Sequence, residues 1–183
     1  MKRGNLGVAV IGAGRIGTLR ARLAAKHPSV GFVAIADIDE GRARALAEQA
    51  GADMHSTNNF EMIERAEVNA VFVSTPEGEH AAPIIRALEL GKPVLVEKPI
   101  ALDRNDAQRI LETLATTGGK LRIGYSRRFK ECFLRAKEQM IHQRLGKVVG
   151  GLARVYNTRA QAFSILKRDP HATPVLDVLP YYV

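Results

Sequence analysis

Short apolar runs alternate, along the first two thirds of the chain, with segments whose apolar residues recur every three or four positions. That alternation is the pattern of a parallel sheet wrapped by helices. Leu6–Ile11 reads as a first strand, and Arg15–Lys26 as a helix stopped near His27 and Pro28. Val30–Ala36 reads as a second strand, followed by a helix over 39–50 that Asp39 caps and Gly51 ends. A weak strand over 53–56, a short helix over 59–65 and a strongly β-branched strand over 70–74 come next. A helix over 79–90 ending at Gly91 precedes the short buried strand Val94–Val96. Asp103 caps a helix to about Thr116, Gly118 and Gly119 break it, and Leu121–Ile123 closes the sheet as a sixth strand. Two βαβαβ halves in succession are what a Rossmann-type, doubly wound α/β fold requires.

The pattern changes after Tyr125. A long basic amphipathic helix is expected over 129–144, then a long strand over 148–158, then a tail carrying Pro170, Pro174 and Pro180. This places residues 1–124 in the α/β domain. Residues 125–183 read as the truncated start of a second, α+β domain, because one long strand cannot form a stable sheet alone.

Composition narrows the function classes. Apolar residues make up 46% and charged residues 25% of 183, a globular balance. The net charge of +8 is scattered along helical segments. Its tightest group, Arg127, Arg128 and Lys130, has one aromatic neighbour, Phe129, so no nucleic-acid partner is expected. The single cysteine, Cys132, excludes a disulfide within the chain and a cysteine-rich metal site. The histidines at 27, 55, 80, 142 and 171 lack paired metal-ligand spacing, and no metal is expected. A reducing, cytoplasmic setting fits. Met1-Lys2-Arg3 and the apolar run that follows mimic a signal peptide, but the run breaks at Arg15 and carries a glycine fingerprint. No apolar stretch is long enough to span a membrane.

That fingerprint is Gly12-Ala13-Gly14-Arg15-Ile16-Gly17, which leaves a buried strand and opens a helix. Gly12 permits the tight turn, Gly14 lets the backbone approach a pyrophosphate, and Gly17 allows helix and strand to pack closely. The helix N-terminus offers its N–H groups and dipole to phosphates. A purely structural glycine turn is the competing reading. Asp37, 20 residues after Gly17, stands where a carboxylate reaches the adenosine ribose hydroxyls. Its charge repels a 2′-phosphate, which favours NAD over NADP, and Arg42 and Arg44 can soften that preference. Asp37 as a cap for the turn into the next helix is the alternative.

Ser74-Thr75-Pro76 leaves the fourth strand, with His80 a few residues on. Strand ends on this side of the sheet line the crevice in which a dinucleotide lies. A plain turn and helix cap accounts for the same residues. Glu97-Lys98-Pro99 follows directly on the buried strand Val94–Val96 and faces the same crevice. A lysine there can orient a substrate hydroxyl, shuttle a proton or lower a neighbour's pKa. A solvated surface pair remains open.

Taken in order with Gly124-Tyr125-Ser126-Arg127-Arg128-Phe129, these motifs resemble the glucose–fructose oxidoreductase / inositol dehydrogenase / rhizopine-catabolism oxidoreductase family. The tripeptide Glu97-Lys98-Pro99 is the most specific part of the likeness. The resemblance implies a Rossmann domain followed by a domain built on a large, mostly antiparallel sheet. It implies hydride exchange between a nicotinamide cofactor, NAD or NADP, and a small sugar, inositol or related polyol. For Lys98 it implies contact with a substrate hydroxyl and a part in proton transfer.

The family carries an Asp and, four positions on, usually a His near the start of its second domain. The matching stretch here is Asp177-Val178-Leu179-Pro180-Tyr181. Tyr181 in place of His is similar to the glucose–fructose oxidoreductase and dihydrodiol dehydrogenase branches. The glycine pair that usually precedes the Asp is absent, and Pro180 is unusual there. In this reading Lys98 lowers the Tyr181 pKa from its free value of about 10, Tyr181 takes the hydroxyl proton, and Asp177 positions the substrate.

Family members are nearly twice as long as this chain. A cloned fragment, a natural truncation and a frameshift all produce such an end. The competing function is a protein that binds the dinucleotide without turnover, as a remnant or a redox-sensing regulator. A homoserine or dihydrodipicolinate-type reductase suits the glycines but leaves Glu97-Lys98-Pro99 unexplained. Substrate identity stays open, as does assembly into a homo-oligomer.

Overall fold

The structure, a computed structural model, describes residues 4–150, 152, 154, 156 and 158–168. The chain divides into two compact units, Met1–Ile123 and Gly124–Val183.

The first unit is a six-stranded sheet with helices on both faces. Its strands are β1 (Leu6–Ile11), β2 (Val30–Ala36), β3 (Met54–Ser56), β4 (Ala70–Val73), β5 (Val94–Val96) and β6 (Leu121–Ile123). They lie in the order β3-β2-β1-β4-β5-β6, and every neighbouring pair is parallel. The helices between them are α1 (Arg15–Lys26), α2 (Glu40–Ala50), α3 (Asn59–Glu64), α4 (Ala81–Glu89) and α5 (Arg104–Thr117). This is the doubly wound order, with its reversal between β1 and β4.

The period of two in β1 splits the core into two layers. Val8 and Val10 pack with Ala21, Ala24, Val33, Ile35 and Leu46, under α1 and α2. Ala9 and Ile11 pack on the other face with Met62, Ile63, Ile84, Leu88 and Ile110, under α3, α4 and α5. Parallel strands covered on both faces must be apolar throughout, which is why these runs carry so few polar residues. Asp39 caps α2 by accepting from Arg42 N–H, and Asp103 caps α5 by accepting from Asp106 N–H, both as expected. The expected helix over 79–90 divides into a 3₁₀ turn, Glu77–Glu79, and α4, with His80 between them.

The second unit departs from the sequence reading. Its described elements are a 3₁₀ turn, Ser126–Phe129, and the helices α6 (Glu131–Ile141) and α7 (Arg159–Arg168). The helix expected over 129–144 is therefore shorter, and α7 was not anticipated. The strand expected over 148–158 is not formed at any described position of that stretch. A β-branched run such as Val148-Val149 becomes a strand only when another strand takes its backbone hydrogen bonds.

Candidate functional site at the carboxyl edge of the sheet

Backbone hydrogen bonds carry the sheet one residue past its strands at one edge. Gly12 N–H donates to Ala36 O at 2.7 Å, Ser74 N–H to Ile11 O at 2.7 Å, and Glu97 N–H to Val73 O at 3.0 Å. The residues that follow β2, β1, β4 and β5, namely Asp37, Gly12, Ser74 and Glu97, thus sit side by side. They flank the reversal in strand order, where open α/β sheets hold their ligands.

The glycine turn has a separate constraint at each of its three glycines. Gly12 has φ +99°, and a Cβ there would stand 2.6 Å from Ser74 O. A Cβ on Gly17 would stand 1.8 Å from Gly12 O, so no side chain fits between helix and turn. Gly14 differs, since a Cβ there would meet nothing within 4 Å. It is the N-cap of α1, has ordinary extended backbone, and leaves open space in front of the helix. No side chain caps α1, and its first turn holds no acidic residue. The N–H groups and positive end of the dipole are thus left for an anion. Ala13 is buried, Arg15 exposed and Ile16 half-buried beside this opening.

Asp37 is buried, at 7% exposure. Its Oδ2 accepts from Ala13 N–H at 2.7 Å. Its Oδ1 accepts from Asp39 N–H at 3.0 Å and from Arg42 Nη2 and Nε at 2.8 and 3.2 Å. Burial pushes the carboxyl pKa up, but the donors from Asp39, Ala13 and Arg42 together outweigh it and hold it below its ordinary value. The Asp37 carboxylate in turn raises the pKa of Arg42. Oδ2 keeps capacity for one more donor, such as a ribose hydroxyl.

Ser74 Oγ is buried and has no hydrogen-bond partner among the described residues. Thr75 closes the turn, its hydroxyl donating to Glu79 O at 3.3 Å, and Pro76 stands just before the 3₁₀ turn. His80 is 1% exposed. Its Nδ1 lies 2.8 Å from Pro99 O and its Nε2 3.1 Å from Thr75 O. Each ring nitrogen therefore faces a backbone carbonyl, and a neutral imidazole donates to one of the two. Burial lowers the pKa of His80, against smaller raising contributions from the Pro99 and Thr75 carbonyls and from Glu77.

Glu97 and Lys98 are half-buried and Pro99 is buried, with a cis peptide bond between Lys98 and Pro99. Glu97 Oε1 accepts from Arg20 Nε at 2.9 Å and Nη2 at 2.5 Å. Sequence reasoning missed Arg20. It lies 77 positions from Glu97, and only the fold brings α1 against the end of β5.

Gly12 to Gly17, Asp37, Ser74, Thr75, Pro76, His80, Glu97 and Lys98 thus collect along one sheet edge. Asp177 and Tyr181 lie outside the described residues. Among the described residues no group of three or more His, Cys, Asp or Glu is placed to hold a metal ion, and no helix is long and apolar enough to cross a membrane. The open space at Gly14, the uncapped helix and the spare acceptor on Asp37 fit a dinucleotide.

The model of an oxidoreductase family with an NAD-binding Rossmann fold matches residues 6–125. The chain is similar to an inositol 2-dehydrogenase of Rhizobium meliloti, 31% identical over 166 residues that cover 91% of this chain and 46% of the relative. It is also similar to a scyllo-inositol 2-dehydrogenase (NAD(+)) of Bacillus subtilis, 32% identical over 77% of this chain and 42% of the relative. Among solved structures, the scyllo-inositol dehydrogenase of Lactobacillus casei with bound NAD(H) and scyllo-inositol superposes with a TM-score of 0.73. The identity there is 26%, over 78% of this chain and 43% of that one. The chain spans less than half the length of these relatives.

Proposed function

The chain belongs to the glucose–fructose oxidoreductase / inositol dehydrogenase / rhizopine-catabolism family, oxidoreductases with an NAD-binding Rossmann fold, and from that premise we propose that it is an NAD(H)-dependent oxidoreductase acting on a CH–OH group of a sugar, inositol or related polyol. The observation that carries this reading is the single sheet edge at which Gly14, Asp37 and Lys98 follow β1, β2 and β5. An uncapped helix, a buried ionised carboxylate and an amine follow three different strands there.

The bound nicotinamide supplies the hydride acceptor or donor. The protein's own residues do the rest. The Gly12–Gly17 turn admits the diphosphate to the backbone N–H groups of α1, with Gly14 leaving the approach open. Asp37 receives an adenosine ribose hydroxyl on Oδ2, while Ala13 and Asp39 N–H groups keep the carboxylate aimed and ionised. Ser74, Thr75, Pro76 and Glu97 line the path toward the nicotinamide end. His80 braces that wall from behind.

Lys98 holds the substrate hydroxyl and favours loss of its proton through the positive charge on Nζ. Taking up that proton and orienting the substrate are the roles that the family resemblance implies for Tyr181 and Asp177. The substrate class follows the relatives, which act on inositols by name. A reducing compartment suits a chain whose one cysteine, Cys132, is exposed and free.

The test is reduction of NAD+ followed across a panel of inositols, sugars and acyclic polyols, with NADH binding measured in parallel. Turnover of at least one polyol, lost in Lys98→Met, is the expected result. NADH binding without turnover on any of them would leave the dinucleotide seat standing and remove the enzymatic part of the proposal.

A further inference from the structure

The segment Glu97-Lys98-Pro99 leaves the sheet as β5 ends. Its last ladder bond is Glu97 N–H to Val73 O at 3.0 Å. Two side chains from different helices hold it beyond that point. Arg20 on α1 forks Nε and Nη2 onto Glu97 Oε1. His80, the N-cap of α4, places Nδ1 2.8 Å from Pro99 O. One anchor grips the residue before Lys98 and the other the residue after it.

Neither anchor resembles an incidental surface contact. The Arg20 and Glu97 side chains are 23% and 16% exposed, so their pairing is much less screened than a solvated ion pair. The His80 ring is buried, and its other nitrogen lies 3.1 Å from Thr75 O, in the loop after β4. A neutral imidazole has one N–H and donates to only one of the two carbonyls, whereas both nitrogens lie within contact of them. The Arg20 anchor also has a direction. It comes from the helix whose first turn forms the diphosphate seat, one turn beyond Gly17.

We propose that Arg20 and His80 are positioning residues for Lys98, holding the Glu97 side chain on one side of it and the Pro99 carbonyl on the other so that its amine stands at the nicotinamide end of the crevice. This rests on the proposed reading of Lys98 as facing the bound dinucleotide. Through Arg20 the clamp links the diphosphate seat to the reacting end of the site. Neither side chain touches the cofactor or the substrate in this account.

The test is a set of double-mutant cycles on the full chain, read by NADH affinity from fluorescence titration. Lys98→Met is expected to weaken NADH binding about tenfold in the native background, and less than about twofold in Arg20→Met or His80→Phe, the coupling typical of residues acting as a unit. His80→Gln keeps a side-chain donor and should restore most of the Lys98 effect, which a loss of packing alone would not. If the buried His80→Phe variant does not fold, the Arg20→Met cycle decides, because that pair lies nearer the surface. Lys98→Met costing the same factor in every background would overturn the clamp. So would a native protein that binds NADH and is indifferent to Lys98→Met. Absence of NADH binding to the native protein would instead refute the cofactor reading beneath it.

Discussion

Arg42 lays its guanidinium along one oxygen of Asp37, with Nη2 at 2.8 Å and Nε at 3.2 Å from Oδ1. A lone carboxylate at the end of β2 would repel a 2′-phosphate. Here the cation that cancels part of that charge is 55% exposed, and the carboxylate is almost covered. Removing it should sharpen cofactor choice. In Arg42→Ala the ratio of NADP+ to NAD+ dissociation constants should rise about tenfold, the scale of one charge–charge coupling. Competitive displacement of NADH fluorescence by each nucleotide measures it.

Asp37 also ties stability to acid. Its native pKa lies below its ordinary value despite burial, through the donors from Asp39, Ala13 and Arg42. The unfolded chain therefore takes up this proton first as pH falls. The stabilisation is fully present above the unfolded value of about 3.9 and is lost as pH falls through the native value. Urea midpoints measured between pH 7 and pH 3 should fall steeply at the acid end. Asp37→Asn should show a shallower fall.

His80 acts at a higher pH. Burial holds its native pKa below the ordinary value. Between the unfolded value of about 6.5 and the lower native value, the unfolded chain binds a proton that the native chain does not. Stability should therefore decline as pH drops below about 6.5. His80→Gln should flatten that limb of the urea-midpoint profile. An equal slope in both proteins would contradict the assignment.

The glycines separate folding from binding. A Cβ on Gly17 collides with Gly12 O, a backbone atom that cannot swing aside. Gly17→Ala should destabilise the fold by about 2–4 kcal/mol in a urea titration. Gly14→Ala meets no neighbour and should leave the urea midpoint nearly unchanged.

The first unit was legible in the sequence because each of its signals is local. Strand runs, the caps Asp39 and Asp103, and the glycine turn lie within a few residues of what they specify. The placement of Asp37 and Lys98 at one edge was legible because the ends of parallel strands lie side by side. The connections between them were not legible. Arg20 with Glu97, and His80 with Pro99, join positions 77 and 19 residues apart, and no periodicity records such pairs. Nor does a single motif reveal that His80 faces inward rather than toward the crevice. At the described positions of 148–158 the local signal misled, because β-branched residues mark a strand only where a neighbouring strand takes their hydrogen bonds. In α7 the run of Ala, Gln, Leu, Lys and Arg is helix-forming, a local signal to which the sequence reading assigned no element.

The proposed function stands or falls with a dinucleotide diphosphate seated at the open face of Gly14, at the start of α1. Isothermal calorimetry with NADH on the native chain and on Gly14→Ala tests it most directly. One site per chain is expected in the native protein and at least about a hundredfold weaker binding in Gly14→Ala, a cost of about 2.7 kcal/mol, with both proteins equally folded. Equal affinity in the two proteins, or no heat from NADH or NAD+ with the folded native chain, would contradict it.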